Sequence, residues 1–99
     1  MHRSREEVEM RCRPVLNRPD IILLVDRSNS PTAAYDMVIG ANGNEETAKA
    51  ARWLGILRRD YAAAYAGLTN SVLRHATEGT AKEGTDEEAI RGGPVVPCS

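Results

Sequence analysis

The sequence predicts a small α+β fold: a short N-terminal helix, a β-hairpin, one long C-terminal helix, straight or bent, and a disordered acidic tail. Three observations carry this reading. A five-residue apolar run at 21–25 is bounded by Asp20 and Asp26, a Gly/Asn-rich punctuation occupies 40–44, and a proline-free, alanine-rich stretch extends from about 45 to 76. The chain of 99 residues is one domain's worth, too short for a pair of nucleotide-binding units or a barrel. With no Phe, one Trp and three Tyr, the core must be aliphatic and rich in alanine.

Taken in order, Ser4-Arg5-Glu6-Glu7 places a hydroxyl three residues ahead of a carboxylate, the form of a capping box opening a helix toward Val8, Met10 and Cys12. Pro14 and Pro19 are expected to stop that helix, because each lacks an N–H and constrains the residue before it. Ile21-Ile22-Leu23-Leu24-Val25 then reads as a strand buried on both faces. Asp26-Arg27-Ser28-Asn29-Ser30-Pro31 reads as a turn, since its side chains bond their own backbone. The second strand of the hairpin falls at 34–39, with a short helix beginning near Thr32 as the rival reading.

Gly40-Ala41-Asn42-Gly43-Asn44 ends that element, and Glu45-Glu46 suits the positive end of a new helix. The helix expected over 45–76 would be about 45 Å long if unbroken, at about 1.5 Å per residue. It must therefore bend near Gly55 or 67–70, or pack against a second copy. Residues 1–76 form the expected domain. The remainder, 77–99, has too little apolar surface to offset ordering entropy and is read as a disordered tail.

Net charge is −1, which argues against a partner as long and as charged as a nucleic acid strand. That total hides an asymmetry: 47–76 carries five bases and one acid, whereas 77–99 carries two bases and five acids. Cys12 and Cys98 lie far apart with no metal or redox spacing, and no run resembles a leader or a membrane span. A soluble, cytoplasmic protein is expected. No nucleophile–base set, zinc motif or phosphate loop is present, so a non-enzymatic binding protein without cofactor is expected.

Two constellations remain. Asp26, Ser28 and Ser30 supply a carboxylate and two hydroxyls after an apolar run, a donor set that suits a hard divalent cation. The stretch DIILLVDRSNS resembles the metal-dependent adhesion site of von Willebrand factor A domains, and that resemblance would make the three residues ligands. The plain alternative is a hydrogen-bonded turn.

The second constellation lies on the long helix. At about 100° per residue its apolar arc holds Trp53, Leu54, Leu57, Tyr61, Tyr65, Leu68 and Val72, while Lys49, Arg52, Arg59 and Arg74 face away. Arg58 falls at the edge of the apolar arc, where a guanidinium either snorkels to water or meets an anion. An aromatic and arginine mixture of this kind suits a ligand that combines phosphates with flat bases. It equally suits aromatic core packing beside a solvated basic face.

The residues of 52–72 resemble the helical-hairpin domain of phage cyclic-nucleotide sponges, the anti-CBASS and anti-Thoeris proteins. The family pattern reads R-W-(L or V)-x-I-x-R-T-(D or H), followed by L-(T or V)-R-x-V, and Arg52, Trp53, Leu54, Ile56, Arg58, Asp60, Leu68, Thr69 and Val72 match it. Arg59 replaces the family's Thr, Ala62-Ala63-Ala64-Tyr65 its Gln/Gly-aromatic stretch, and Asn70 its later Arg; the closing Pro is missing. The resemblance implies a homo-oligomer that sequesters a cyclic nucleotide immune signal. Arg58 would hold phosphate, Arg52 and Arg59 would add charge, and Trp53, Tyr61 and Tyr65 would form the pocket wall. A homo-oligomeric interaction module with no small ligand is the competing expectation.

Overall fold

The computed structural model describes residues 3–84, with side-chain positions as far as Ala76. Its elements are α1 (Arg5–Cys12), a single 3₁₀ turn (Arg13–Val15), α2 (Pro19–Arg27), α3 (Pro31–Gly40), α4 (Glu45–Asp60) and α5 (Ala62–Gly84). Among the described residues there is no strand. The expected α+β fold and its β-hairpin are therefore replaced by an all-helical bundle, in which α4 is central and touches every other element.

Each helix start has a local cause. Ser4 caps α1 by accepting the Glu7 N–H at 3.1 Å, as its spacing predicts. The Glu7 carboxylate meets Arg11 one turn on. Pro14 does not end the segment outright, because the chain tightens there into the 3₁₀ turn.

Pro19 opens a helix instead of stopping one. It occupies the first turn of α2, where a missing N–H costs nothing, and Asp20 follows at the positive end. The apolar run 21–25, expected to be a strand, is the body of this helix. Ile21, Ile22 and Val25 are buried on one face, whereas Leu23 is 45% exposed. A fully buried strand would have hidden all five, and a five-residue run is too short for its period to decide.

The second expected strand, 34–39, lies inside α3, as the rival reading had it. Ser30 accepts the Ala33 N–H at 3.0 Å, Pro31 sits in the first turn, and Ala34 and Val38 are buried one turn apart. α3 ends through Asn42 at φ 69°, with Gly43 N–H donating to the Val38 carbonyl at 2.8 Å. A Cβ at Gly43 would collide with Val38 Cγ1 and stand 3.0 Å from the Val38 carbonyl oxygen, so this return of the chain requires glycine.

α4 begins at Asn44, whose side chain accepts the Thr47 N–H at 2.8 Å. Its buried positions are mostly small, namely Ala48, Ala50, Ala51 and Gly55, together with Leu54 and Leu57. Small side chains let α3 lie close: a Cβ at Gly55 would stand 2.9 Å from Pro31 Cα. This close helix–helix contact is how a chain without Phe fills its centre.

The single long C-terminal helix is corrected as well. The chain breaks at Tyr61, with φ −136° and ψ 61°, rather than at Gly55 or 67–70. Tyr61 closes α4 by donating its N–H to Leu57, and its carbonyl accepts the Tyr65 N–H that starts α5. α5 returns along α4 and α2 through buried Tyr65 and Thr69 and half-buried Leu68, Val72 and Leu73. The acidic tail expected from 77 overlaps the last turns of α5, and 85–99 lies outside the described residues.

No described helix is long and apolar enough to cross a membrane. Cys12 is buried, with its thiol directed at the Glu9 carbonyl, and burial pushes its pKa up to about 11. A buried thiol of that basicity serves as a core residue rather than a nucleophile.

Candidate functional site

Four helix ends converge on one hollow. The C-terminus of α2, the N-terminus of α3, the last turn of α4 and the first turn of α5 surround a cleft of about 400 Å³. It is lined by Ser28, Asn29, Ser30, Pro31, Gly55, Arg58, Arg59, Ala62 and Tyr65. The two constellations that are separate in sequence thus meet in space, because α2 and α3 are helices whose joint lies against the end of α4.

Arg58 connects them. Its Nη1 donates to the Ser28 carbonyl at 3.1 Å, closing a helix end that would otherwise leave an acceptor exposed. Its Nε lies 3.9 Å from Asp26 Oδ1, and both side chains are about two-fifths exposed, so the ion pair is a weak one. Most of the five N–H donors of the guanidinium remain to be satisfied by solvent or a ligand.

Tyr65 is buried and donates its hydroxyl to the same Asp26 oxygen. Burial, followed by the hydrogen bond to Asp26 and the negative charge of that carboxylate, raises the phenol well above its ordinary pKa, with Arg58 opposing. It therefore stays protonated as a donor at neutral pH. The pairing is mutual support: Tyr65 fixes Asp26, and Asp26 faces Arg58.

Arg59 borders the cleft from the exposed side. Its fork lies on the Asp60 carboxylate, at 2.9 Å from Nε and 3.1 Å from Nη2. Ser28 is buried and donates its hydroxyl to the Val25 carbonyl at 2.6 Å, closing α2. Ser30 is occupied in capping α3.

These commitments bear on the metal reading. Asp26 is engaged by Tyr65 and stands beside a guanidinium, and the two serine hydroxyls terminate helices. The described residues contain no group of three or more His, Cys, Asp or Glu suited to a metal ion. A cation here would be set against Arg58, whereas an anion would be drawn to it.

The sequence-derived binding set divides in two. Arg58, Arg59 and Tyr65 line the cleft. Trp53 lies elsewhere, with the guanidinium of Arg3 5.0 Å and that of Arg11 5.1 Å from its ring centroid. Tyr61 donates its hydroxyl to the Arg3 carbonyl at 2.6 Å. Trp53 and Tyr61 thus clamp the N-terminal segment onto the bundle, and Arg52 beside them is exposed. Asn29, Pro31, Gly55 and Ala62 belong to the cleft without being legible as site residues; the Ser-Pro pair at 30–31, a helix-start signature, is a signal for Asn29 and Pro31, and no local signal marks Gly55 or Ala62.

Comparison with family models, curated proteins and solved structures finds no match for this chain.

Proposed function

We propose that the protein is a non-enzymatic binder that sequesters a cyclic nucleotide in the cleft between α2, α3, α4 and α5. The observation that supports this most is Arg58: a guanidinium anchored at one corner by a backbone carbonyl, with donors to spare, on the wall of a cleft of about 400 Å³. Phosphate is the ligand group such a fork matches. Tyr65 and Pro31 give the cleft an apolar flank against which a base ring can lie. The sequence resemblance of 52–72 to cyclic-nucleotide sponges agrees on Arg58, and a cytoplasmic anti-defence role goes with that resemblance.

Self-association belongs to the same proposal. α5 leaves Leu68, Val72 and Leu73 only partly covered, and a second copy laid along it would bury them. Trp53 and Tyr61 are assigned to the fold rather than to the ligand, and exposed Arg52 stands outside the lining of the cleft.

The test is calorimetric titration of cyclic di- and trinucleotides and cyclic ADP-ribose isomers into the wild type and Arg58→Ala. One cyclic nucleotide is expected to bind the wild type, with affinity reduced at least tenfold in the variant and the melt little changed. A panel that leaves the wild type silent, or a variant that binds as tightly, overturns the assignment.

A further inference from the structure

We propose that Asp26 and Asp60 tune this cleft to a singly charged phosphodiester and against a doubly charged phosphomonoester, so that it discriminates cyclic from linear 5′-phosphorylated nucleotides. The inference rests on the phosphate-binding reading above and concerns charge rather than shape.

Both cations of the cleft already have a carboxylate of their own. Asp26 Oδ1 stands 3.9 Å from Arg58 Nε, and Asp60 takes the fork of Arg59. Neither aspartate lines the hollow, and no lysine or histidine does. A ligand entering the cleft therefore meets guanidinium N–H groups while two negative charges remain behind them. The site offers hydrogen-bond donors with a local charge near zero.

Such a site treats the two kinds of phosphate differently. The donors available from Arg58 number the same for either ligand, because one N–H is spent on Ser28 in both cases. When the phosphate carries a second charge, attraction to the guanidiniums and repulsion from Asp26 and Asp60 both double and largely offset one another, whereas the cost of removing the phosphate from water, which grows as the square of its charge, rises about fourfold. A phosphodiester retains most of the hydrogen bonding and avoids the second penalty. Tyr65 makes the device permanent, since its hydroxyl holds Asp26 in place behind Arg58.

Asp26→Asn isolates the charge, because the amide oxygen still accepts the Tyr65 hydroxyl. Affinities are measured for two matched pairs at constant low ionic strength: 3′,5′-cyclic AMP with 5′-AMP, and cyclic di-AMP with its linear 5′-phosphorylated form. The wild type is expected to favour the cyclic member. Asp26→Asn is expected to tighten the linear member more, narrowing the cyclic-to-linear ratio by about threefold, the effect of one unit charge several ångströms away in a wet site. Should Asp26→Asn fail to fold, Asp60→Asn is read for the same ratio.

A ratio unchanged in a variant that still binds overturns the inference and leaves the phosphate reading standing. If neither these pairs nor any cyclic nucleotide of the panel above binds the wild type, the phosphate reading falls and this inference with it.

Discussion

Two faces of α4, five residues apart in sequence, carry an aromatic–arginine combination and use it in opposite ways. At Trp53 the guanidiniums of Arg3 and Arg11 come to the ring, and Tyr61 ties the Arg3 backbone, so every partner belongs to the chain itself. At Arg58 the guanidinium is anchored to Ser28 and faces a hollow. The difference teaches that residue types do not identify a site. What distinguishes the two faces is that at Trp53 the chain's own guanidiniums cover the ring, whereas at Arg58 the guanidinium borders a cleft with N–H groups to spare.

The comparison is tested most strongly on the closed face. Trp53→Ala removes a half-buried indole and both guanidinium contacts, and is expected to cost about 2–4 kcal/mol in urea denaturation. Ligand affinity of the molecules that remain folded is expected to stay within about threefold of the wild type. A tenfold loss of affinity would place Trp53 in the binding machinery and erase the contrast.

Gly55→Ala acts on the ground beneath the open face. Its Cβ would stand 2.9 Å from the Pro31 Cα, a backbone atom that cannot swing aside, so α3 must move away from α4. A loss of about 1–3 kcal/mol is expected, together with weaker binding because Ser30 and Arg58 separate. Unchanged stability would show that α3 and α4 are not in close contact at this point.

Alkaline pH gives a third handle. The Cys12 thiol is raised from 9.0 to about 11 in the native state, so between those values the unfolded chain releases a proton that the native chain keeps. Stability is full below about pH 9 and falls as pH rises toward 11, by an amount of order 1–2 kcal/mol. Tyr65, also raised, adds a loss in the same direction at higher pH. Cys12→Ala is expected to flatten the part of the slope between 9 and 11, and a slope that persists would remove Cys12 as its source. Smallest is Ser30→Ala, which deletes the α3 cap and is expected to cost about 1 kcal/mol in the same denaturation assay.

What was legible in the sequence follows the range of each interaction. Caps at Ser4 and the helix start after Asn44 were readable because the partners are three residues apart. The run 21–25 was misread because β-branched residues lose only tenths of a kcal/mol in a helix, and packing of Ile21, Ile22 and Val25 against the bundle decides the matter. The break at Tyr61 escapes a sequence reading because no Pro or Gly marks it, and the contact that its hydroxyl makes there, with Arg3, spans 58 residues. Arg58 was legible as an arginine at the edge of an apolar arc. Its Ser28 and Asp26 partners, 30 and more residues earlier, were not.

The most direct measurement uses the fact that the chain has one tryptophan. Nitrogen-resolved NMR of the labelled protein, titrated with the cyclic nucleotides of the proposed ligand class, reports on both faces at once. The Arg58 Nε–H and the amides of Ser30 and Ala62 are expected to shift while the Trp53 indole N–H stays in place. An indole that moves while Arg58 remains still would contradict the contrast between the two faces, and would transfer the ligand to the one that Arg3 and Arg11 close.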